Sequence, residues 1–455
     1  MPAASRQLRY RASMSDTHRV TVVGAGYVGL ATGVGLATRG HTVDVVEVRP
    51  DRLVSLREGR LPIHEPAMLA AFSDPAVRAR IRPREALAEE PPDLLLICVG
   101  TPVGDDGRSD LRQMRAALEA CRPLAAAGVP IAIRSTLPVG SNDQIVEWAG
   151  GDASRIFTNP EFLAQGRALE DFLEPSRIVI GTFSDPDPRA LEAVIKVLDS
   201  SSAPVLVVTV AEADLIKNGA NAFLALKISF ANELAVLCEH LGVDVGQVIE
   251  GIGLDPRIGS NYMHPGLGFG GSCLPKDLRS MTNVGRDLGV EMHIAAAVAE
   301  SNEAHQRLFA TRVARLVGQH RGRVALLGLA FKAGTDDVRY SPALRVAELL
   351  LERGLDLVGY DPYAGRNAAA ALPELAQAPS AMEALEGAGL AVIATEWPEF
   401  RALDWAAAAR VMAAPVLLDG RRLLDGDALR ALGFRYETVG APVFADRVEA
   451  VAAAR

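Results

Sequence analysis

The chain has 455 residues, 49% of them hydrophobic, and 47 Lys+Arg stand against 56 Asp+Glu for a formal net charge of −9. That length accommodates two or three domains with cores of their own, and the apolar fraction excludes an intrinsically disordered chain. The acidic balance, without any Lys/Arg-rich block, argues against nucleic acid as a partner. The longest unbroken apolar runs, such as 94–99 and 204–210, have strand length and fall short of the roughly 20 residues of a bilayer span, so no membrane partner is expected.

Residues 1–18 carry arginines and serines but no apolar core, and read as a flexible tail rather than a secretory signal, with Met14 as an alternative start and a transit peptide as the weaker reading. The chain then alternates. A β-branched run at 19–23 stops at Gly24-Ala-Gly26-Tyr27-Val28-Gly29, a helical segment follows to residue 39, and a second strand at 42–48 carries Glu47, 18 positions beyond the third glycine. A GxGxxG alone is weak. Between a strand and a helix, with an acid at that distance, it is a dinucleotide fingerprint: the glycines make the tight turn, the pyrophosphate meets the helix N-terminus, and the carboxylate takes the ribose hydroxyls. Glu47 repels a 2′-phosphate and so favours NAD over NADP, a preference that the nearby Arg49 blurs. The plain alternative is a strand-turn-helix with incidental glycines.

Further strands at 94–99, 129–134 and 177–181, with a helix from residue 110, extend the βα order into a doubly wound parallel sheet whose ligands collect at the carboxyl ends of the strands. Thr101, Ser135 and Thr136 stand at such ends, where hydroxyls cap loops as readily as they bind ligands. From 212 to 241 the chain is free of proline and predicts a helix of roughly 45 Å at 1.5 Å per residue. Such a helix is longer than one lobe needs, so it joins two, and its broad apolar surface (Phe223, Leu224, Leu226, Ile228, Phe230, Leu234, Leu237) suits a dimer core. Lys217 and Asn221 share a face near its start, either as exposed polar residues or as site residues.

The plan restarts after a helical stretch to about 317, with a strand at 323–330, a helix at 341–353 and a strand at 356–360 ending on Asp361. This second Rossmann-like lobe lacks a GxGxxG. Its ligand-end loops carry Lys332, Arg339 and, after a later strand, Arg421, which is either a surface residue or a phosphate clamp. The expected architecture is α/β, two doubly wound lobes joined by a long central helix, with boundaries at 1–18, 19–200, 201–317 and 318–455. The four cysteines, Cys98, Cys121, Cys238 and Cys273, are dispersed without a CxxC or a histidine cluster, which argues against a zinc site or a disulfide framework and suits a reducing cytoplasm. One of them is different in setting. Cys273 lies in Gly266-Leu-Gly-Phe-Gly270-Gly-Ser-Cys273-Leu-Pro-Lys276-Asp277, a glycine-rich loop with a lysine and a carboxylate beyond it, as a thiol nucleophile requires. An inert packing cysteine is the commoner reading of a lone thiol.

Together Gly270-Gly-Ser-Cys273-Leu-Pro-Lys-Asp277, Asn159-Pro-Glu161-Phe162-Leu163, Ser135-Thr136-Leu-Pro-Val-Gly140, Lys217 with Asn221, and Gly328-Leu-Ala-Phe-Lys332 resemble the UDP-glucose/GDP-mannose dehydrogenase family over nearly the whole chain. The resemblance implies four-electron oxidation of a nucleotide sugar by NAD, UDP-glucose before GDP-mannose, in a homodimer and without a metal. It makes Cys273 the nucleophile, Lys217 and Asp277 its polar and acid/base companions, Asn221 a donor near the reacting carbon, and Thr136 and Glu161 participants in the hydrolytic step. It assigns NAD to Gly24, Gly26, Tyr27, Val28, Gly29, Glu47, Thr101, Thr136 and Arg339. It assigns the substrate to Glu161, Phe162, Leu163, Lys217, Asn221, Arg257, Tyr262, Gly270, Lys332 and Arg421, with Arg257 reaching toward a neighbouring subunit. Tyr340 and His264 depart from residues common in the family, which touches the Arg339 loop and the choice of base and sugar. A two-electron hydroxyacid dehydrogenase and a non-catalytic dinucleotide-binding protein are the competing classes.

Overall fold

The computed structural model describes residues 6–8, 17–102, 104, 108–138, 140, 142–199, 203–318 and 322–442. Most of the expected tail lies outside them; Arg6–Leu8 form a short strand. The chain divides into two compact units, one running to Ala220 and including Asn283–Gly289, the other formed by Asn221–Thr282 and the residues from Val290 onward.

The first unit is built on a nine-stranded sheet. Its strands are β1 (Arg6–Leu8), β2 (Arg19–Val23), β3 (Thr42–Val46), β4 (Ile81–Arg84), β5 (Leu94–Ile97), β6 (Ile131–Ile133), β7 (Ile156–Thr158), β8 (Ile178–Thr182) and β9 (Val205–Thr209). They lie in the order β1-β9-β8-β7-β6-β5-β2-β3-β4. From β4 to β7 every pairing is parallel, and antiparallel contacts occur only at β7/β8 and β1/β9. Counted from β2, the parallel part has the doubly wound order 3-2-1-4-5-6, so its switch point falls between β2 and β5, where Val23 and Ile97 end their strands. Parallel strands covered on both faces must be apolar throughout, and Leu94, Leu95, Leu96 and Ile97 are each wholly buried. The Tyr27–Thr38 helix lies against this layer at Gly33, where a Cβ would sit 3.3 Å from Val45 Cγ2, and its Gly35 leaves room for the Phe172 ring of the Ala168–Leu173 helix, which would sit 2.2 Å from a Cβ there.

The second unit carries β10 (Arg323–Leu327), β11 (Leu357–Tyr360), β12 (Ala376–Gln377), β13 (Ala388–Ile393), β14 (Val416–Asp419) and β15 (Arg435–Thr438), all parallel, in the order β12-β11-β10-β13-β14-β15. This is again 3-2-1-4-5-6, with its switch point between β10 and β13. Pro342–Leu351 follows as a helix opened by Ser341, whose hydroxyl accepts from the Leu344 N–H, and by a proline in the first turn. The two-lobe architecture expected from the βα alternation is therefore present.

The long helix spans Val210–Leu241, 32 residues or about 48 Å at 1.5 Å each, and the division between the units falls within it. By length and hydropathy it also meets the criterion for a bilayer-spanning helix. Counting unbroken apolar runs missed this, because Lys217, Asn221, Lys227 and Glu233 interrupt the pattern.

Candidate active site

In the first unit the fingerprint turn leaves β2 with Gly24 at φ +102°, a conformation that favours glycine; a Cβ there would lie 2.8 Å from the Cys98 carbonyl oxygen. A Cβ on Gly29 would come within 1.8 Å of the Gly24 oxygen. The turn thus brings bare backbone and the first N–H groups of the Tyr27–Thr38 helix to the switch point, a cradle suited to a pyrophosphate. Val28 lies in the first turn of that helix. Glu47 is buried at the end of β3, where its Oε2 accepts the Ala25 N–H at 3.1 Å and its Oε1 the Arg49 N–H at 2.8 Å. Its two oxygens offer about four lone-pair sites, so ribose hydroxyls can still be accepted. The Arg49 guanidinium is turned onto Asp51 at 2.7 Å. Thr101, after β5, donates from its hydroxyl to the Thr136 carbonyl at 3.0 Å, which joins the two strand-end loops.

Beyond β7, Asn159-Pro-Glu161 carries a second set of polar contacts in this unit. Asn159 is tied to Arg134 and donates to the Val179 oxygen at 2.8 Å. Glu161 and Lys217 are both buried, and the Lys217 Nζ donates to the Glu161 backbone oxygen at 2.5 Å and to its Oε1 at 3.1 Å. Burial disfavours the Glu161 carboxylate, but the Lys217 charge, the Leu163 N–H at 2.7 Å and the more distant Arg134 outweigh it and hold the group below the usual carboxylate range. Phe162 is half-buried, with the Arg177 guanidinium 3.7 Å and the Lys217 Nζ 5.3 Å from its ring centre.

In the second unit the glycine-rich loop is strapped down by side chains that no motif marked. Asn232 accepts the Gly266 N–H at 2.8 Å, and His305 meets the Gly266 oxygen at 2.7 Å. Asn302 makes a two-way clasp on Phe269, accepting its N–H at 2.8 Å and donating to its oxygen at 3.0 Å. Gly271, at φ +80°, donates to the Arg339 oxygen at 3.0 Å, and a Cβ on Gly270 would collide with the Tyr340 oxygen at 2.1 Å. The loop therefore rests on the segment after β10, and Tyr340 takes a positive φ of 50° there. The one available sequence signal was amide and histidine side chains on otherwise apolar helix faces.

Cys273 is half-buried at the entry to the Leu274–Asp287 helix, where its carbonyl accepts the Asp277 N–H at 2.9 Å and its sulfur lies 3.7 Å from the Ser272 hydroxyl. Unpaired N–H groups at a helix start favour negative charge. Asp277 is wholly buried, accepting Asn221 Nδ2 at 2.6 Å on one oxygen and Lys276 Nζ at 2.6 Å on the other. Lys276 is thus engaged with its neighbouring carboxylate. Arg339 forks onto Asp337, with its Nη2 2.6 Å from Oδ2. That hydrogen bond comes first, and the Asp337 and Cys273 charges add to it, in raising the guanidinium above its ordinary range against the opposing effect of burial.

At the end of β14, Arg421 donates through Nε to the Ala394 oxygen at 2.8 Å and lies 3.3 Å from Glu396. It borders a cavity of about 540 Å³ shared with Glu250, Met263 and His264. Tyr262 stands at φ +63°, Lys332 lies in the loop after β10, and Arg257 lies at the surface on Asp255, 2.6 Å away.

The chain matches, in succession, three parts of the UDP-glucose/GDP-mannose dehydrogenase family: the NAD binding domain over residues 18–199, the central domain over 211–304 and the UDP binding domain over 325–426. It is 35% identical to the UDP-glucose 6-dehydrogenase of Rickettsia bellii over 93% of this chain and 100% of that protein. It is 38% identical to the UDP-glucose 6-dehydrogenase of Pseudomonas aeruginosa over 93% of this chain and 98% of that one. Among solved structures, a UDP-glucose dehydrogenase from the archaeon Pyrobaculum islandicum superposes with a TM-score of 0.81 at 39% identity, covering 94% of this chain and 98% of the other.

Proposed function

Because this chain belongs to the UDP-glucose/GDP-mannose dehydrogenase family, we propose that it oxidises UDP-glucose to UDP-glucuronate with two NAD per substrate. The observation that carries this reading is the Cys273 thiol at a helix start, one turn from a buried Asp277 whose orientation Asn221 and Lys276 fix. A two-electron alcohol oxidation needs no such thiol.

Taking a primary alcohol to a carboxylate removes four electrons, and each NAD, when bound, accepts two of them as hydride. After the first transfer the substrate's C6 is an aldehyde. Cys273 Sγ adds to that carbon and the carbonyl oxygen gains a proton, giving a thiohemiacetal. Loss of hydride and the hydroxyl proton leaves a thioester, and water displaces the sulfur to give the acid and regenerate the thiol. The oxyanions that develop at C6 need fixed donors, a role suited to the Lys217 ammonium and the Asn221 amide. In this reading Asp277, one turn along the helix from Cys273, takes the role of exchanging the thiol proton. Glu161, held as a carboxylate by Lys217, orients the attacking water with Thr136. Sulfur thereby retains the aldehyde between the two oxidations.

NAD is assigned to the Gly24, Gly26, Tyr27, Val28 and Gly29 turn with Glu47, Thr101, Thr136 and Arg339; the Arg49–Asp51 pair supports NAD over NADP. UDP-glucose is assigned to Phe162, Leu163, Arg257, Tyr262, Gly270, Lys332 and Arg421, the last bordering a cavity large enough for part of a nucleotide. We further read the protein as a cytoplasmic homodimer, since the thiol must stay reduced. Along the long helix Phe223, Phe230 and Leu237 are 61%, 45% and 54% exposed at seven-residue spacing, as a helix-to-helix seam requires. The same stripe explains the helix's bilayer-like hydropathy without a membrane, and no nucleic acid enters this function.

The test is a count. UDP-glucose, GDP-mannose and UDP-N-acetyl sugars are each incubated with excess NAD, and NADH yield and product mass are read. Two NADH per UDP-glucose with UDP-glucuronate formed is expected; one NADH, or turnover of GDP-mannose alone, refutes the assignment.

A further inference from the structure

Tyr27 opens the helix after the fingerprint turn, and its hydroxyl donates to Oε2 of Glu65. Glu65 is wholly buried. The same Oε2 accepts the Gly166 N–H at 2.6 Å, and Oε1 accepts the Ala168 N–H at 3.2 Å. Gly166 N also lies 3.1 Å from the Tyr27 hydroxyl, closing a three-membered cluster. Burial, together with the Glu65 charge, raises the Tyr27 hydroxyl well above the ordinary phenol range, so it remains a donor. Tyr27 and Leu163 also pack against one apolar core. A buried carboxylate is costly unless its acceptor sites are filled, and here the donors come from two segments: the helix of the fingerprint turn and the loop running on from Glu161-Phe162-Leu163.

We propose that Glu65, through Tyr27, is a positioning residue that couples dinucleotide binding to nucleotide-sugar binding. Both segments share one buried carboxylate, so a ligand that orders either lowers the cost of ordering the other. The proposal rests on the reading above, in which the 24–29 turn holds NAD and the 161–163 loop touches the UDP-sugar.

The test measures the dissociation constant of UDP on the full-length protein with and without saturating NAD, for wild type, Glu65→Gln and Tyr27→Phe. The Glu65→Gln change keeps the size of the side chain but leaves one oxygen to accept what two accepted before. NAD is expected to tighten UDP about fivefold or more in wild type, the low end of ordinary coupling. In both variants the ratio should fall toward one, and KM for UDP-glucose should rise more than kcat falls. An uncoupled wild type overturns the proposal. So does a ratio preserved in both variants while only Tm drops, or failure of both variants to fold, which would assign the pair to the fold alone. Because UDP and NAD binding are read without turnover, a coupled protein that leaves UDP-glucose untouched sinks the catalytic reading and not this one. A protein that oxidises UDP-glucose without coupling does the reverse.

Discussion

Cys273 owes its setting to residues far from it in the chain. Its sulfur stands at the start of a 14-residue helix, and the loop before it is held by Asn232, Asn302 and His305, so the thiol is presented by a loop with few conformations to lose. Replacing it by serine keeps the shape and removes the thiol on which the proposed mechanism relies. Cys273→Ser is expected to cut acid formation by at least about a thousandfold, in line with the loss of other catalytic nucleophiles, while NADH yield falls to one or fewer per substrate. Product analysis by mass reads this directly, and normal UDP-glucuronate formation by the variant would contradict the assignment. Asp277 shows the same dependence, since Asn221, 56 positions away, donates to one of its oxygens at 2.6 Å.

Within the long helix, Asp214 is a buried carboxyl one turn before Asn218, which donates to its backbone oxygen, while among the described residues the Asp214 Oδ2 has no hydrogen-bond partner. Burial alone pushes its pKa up to about 8. A carboxyl whose folded value exceeds its unfolded value of about 3.9 binds its proton more tightly when folded. Its contribution is therefore present below the unfolded pKa and is lost as pH rises to about 8. Asp214→Asn should match wild type in Tm near pH 4 and exceed it by a margin that grows up to pH 8; thermal melts across that range check it, and a margin independent of pH would refute it. Glu161 in the candidate site behaves oppositely, because Lys217 holds its carboxylate low, so what it contributes is lost as pH falls through its folded value.

For the whole molecule, the exposed stripe Phe223, Phe230 and Leu237 on the long helix is apolar surface of the kind that a symmetric partner covers. Phe230→Glu would place a charge in the middle of that seam. The expected result is a dimer for wild type by light scattering and a monomer for the variant, with association weakened by about a hundredfold or more, the loss of a central aromatic anchor. A monomeric wild type would remove the dimer from the reading.

Local features were legible because neighbours in sequence create them. A strand, a glycine turn and a helix in succession fold the same way wherever they occur, so 19–47 announced its sheet, its turn and the acid that ends the second strand, and the repeat of that plan from residue 323 announced the second lobe. Partners separated by long stretches of chain were not legible. Lys217 with Glu161 and Asn221 with Asp277 are each 56 positions apart, and Glu65 meets Gly166 across 101. A lone Asn, His or Glu on a helix carries no mark of what it will touch. Which donor fills which buried acceptor is decided by packing, once the sheets have brought distant segments together and water can no longer satisfy them.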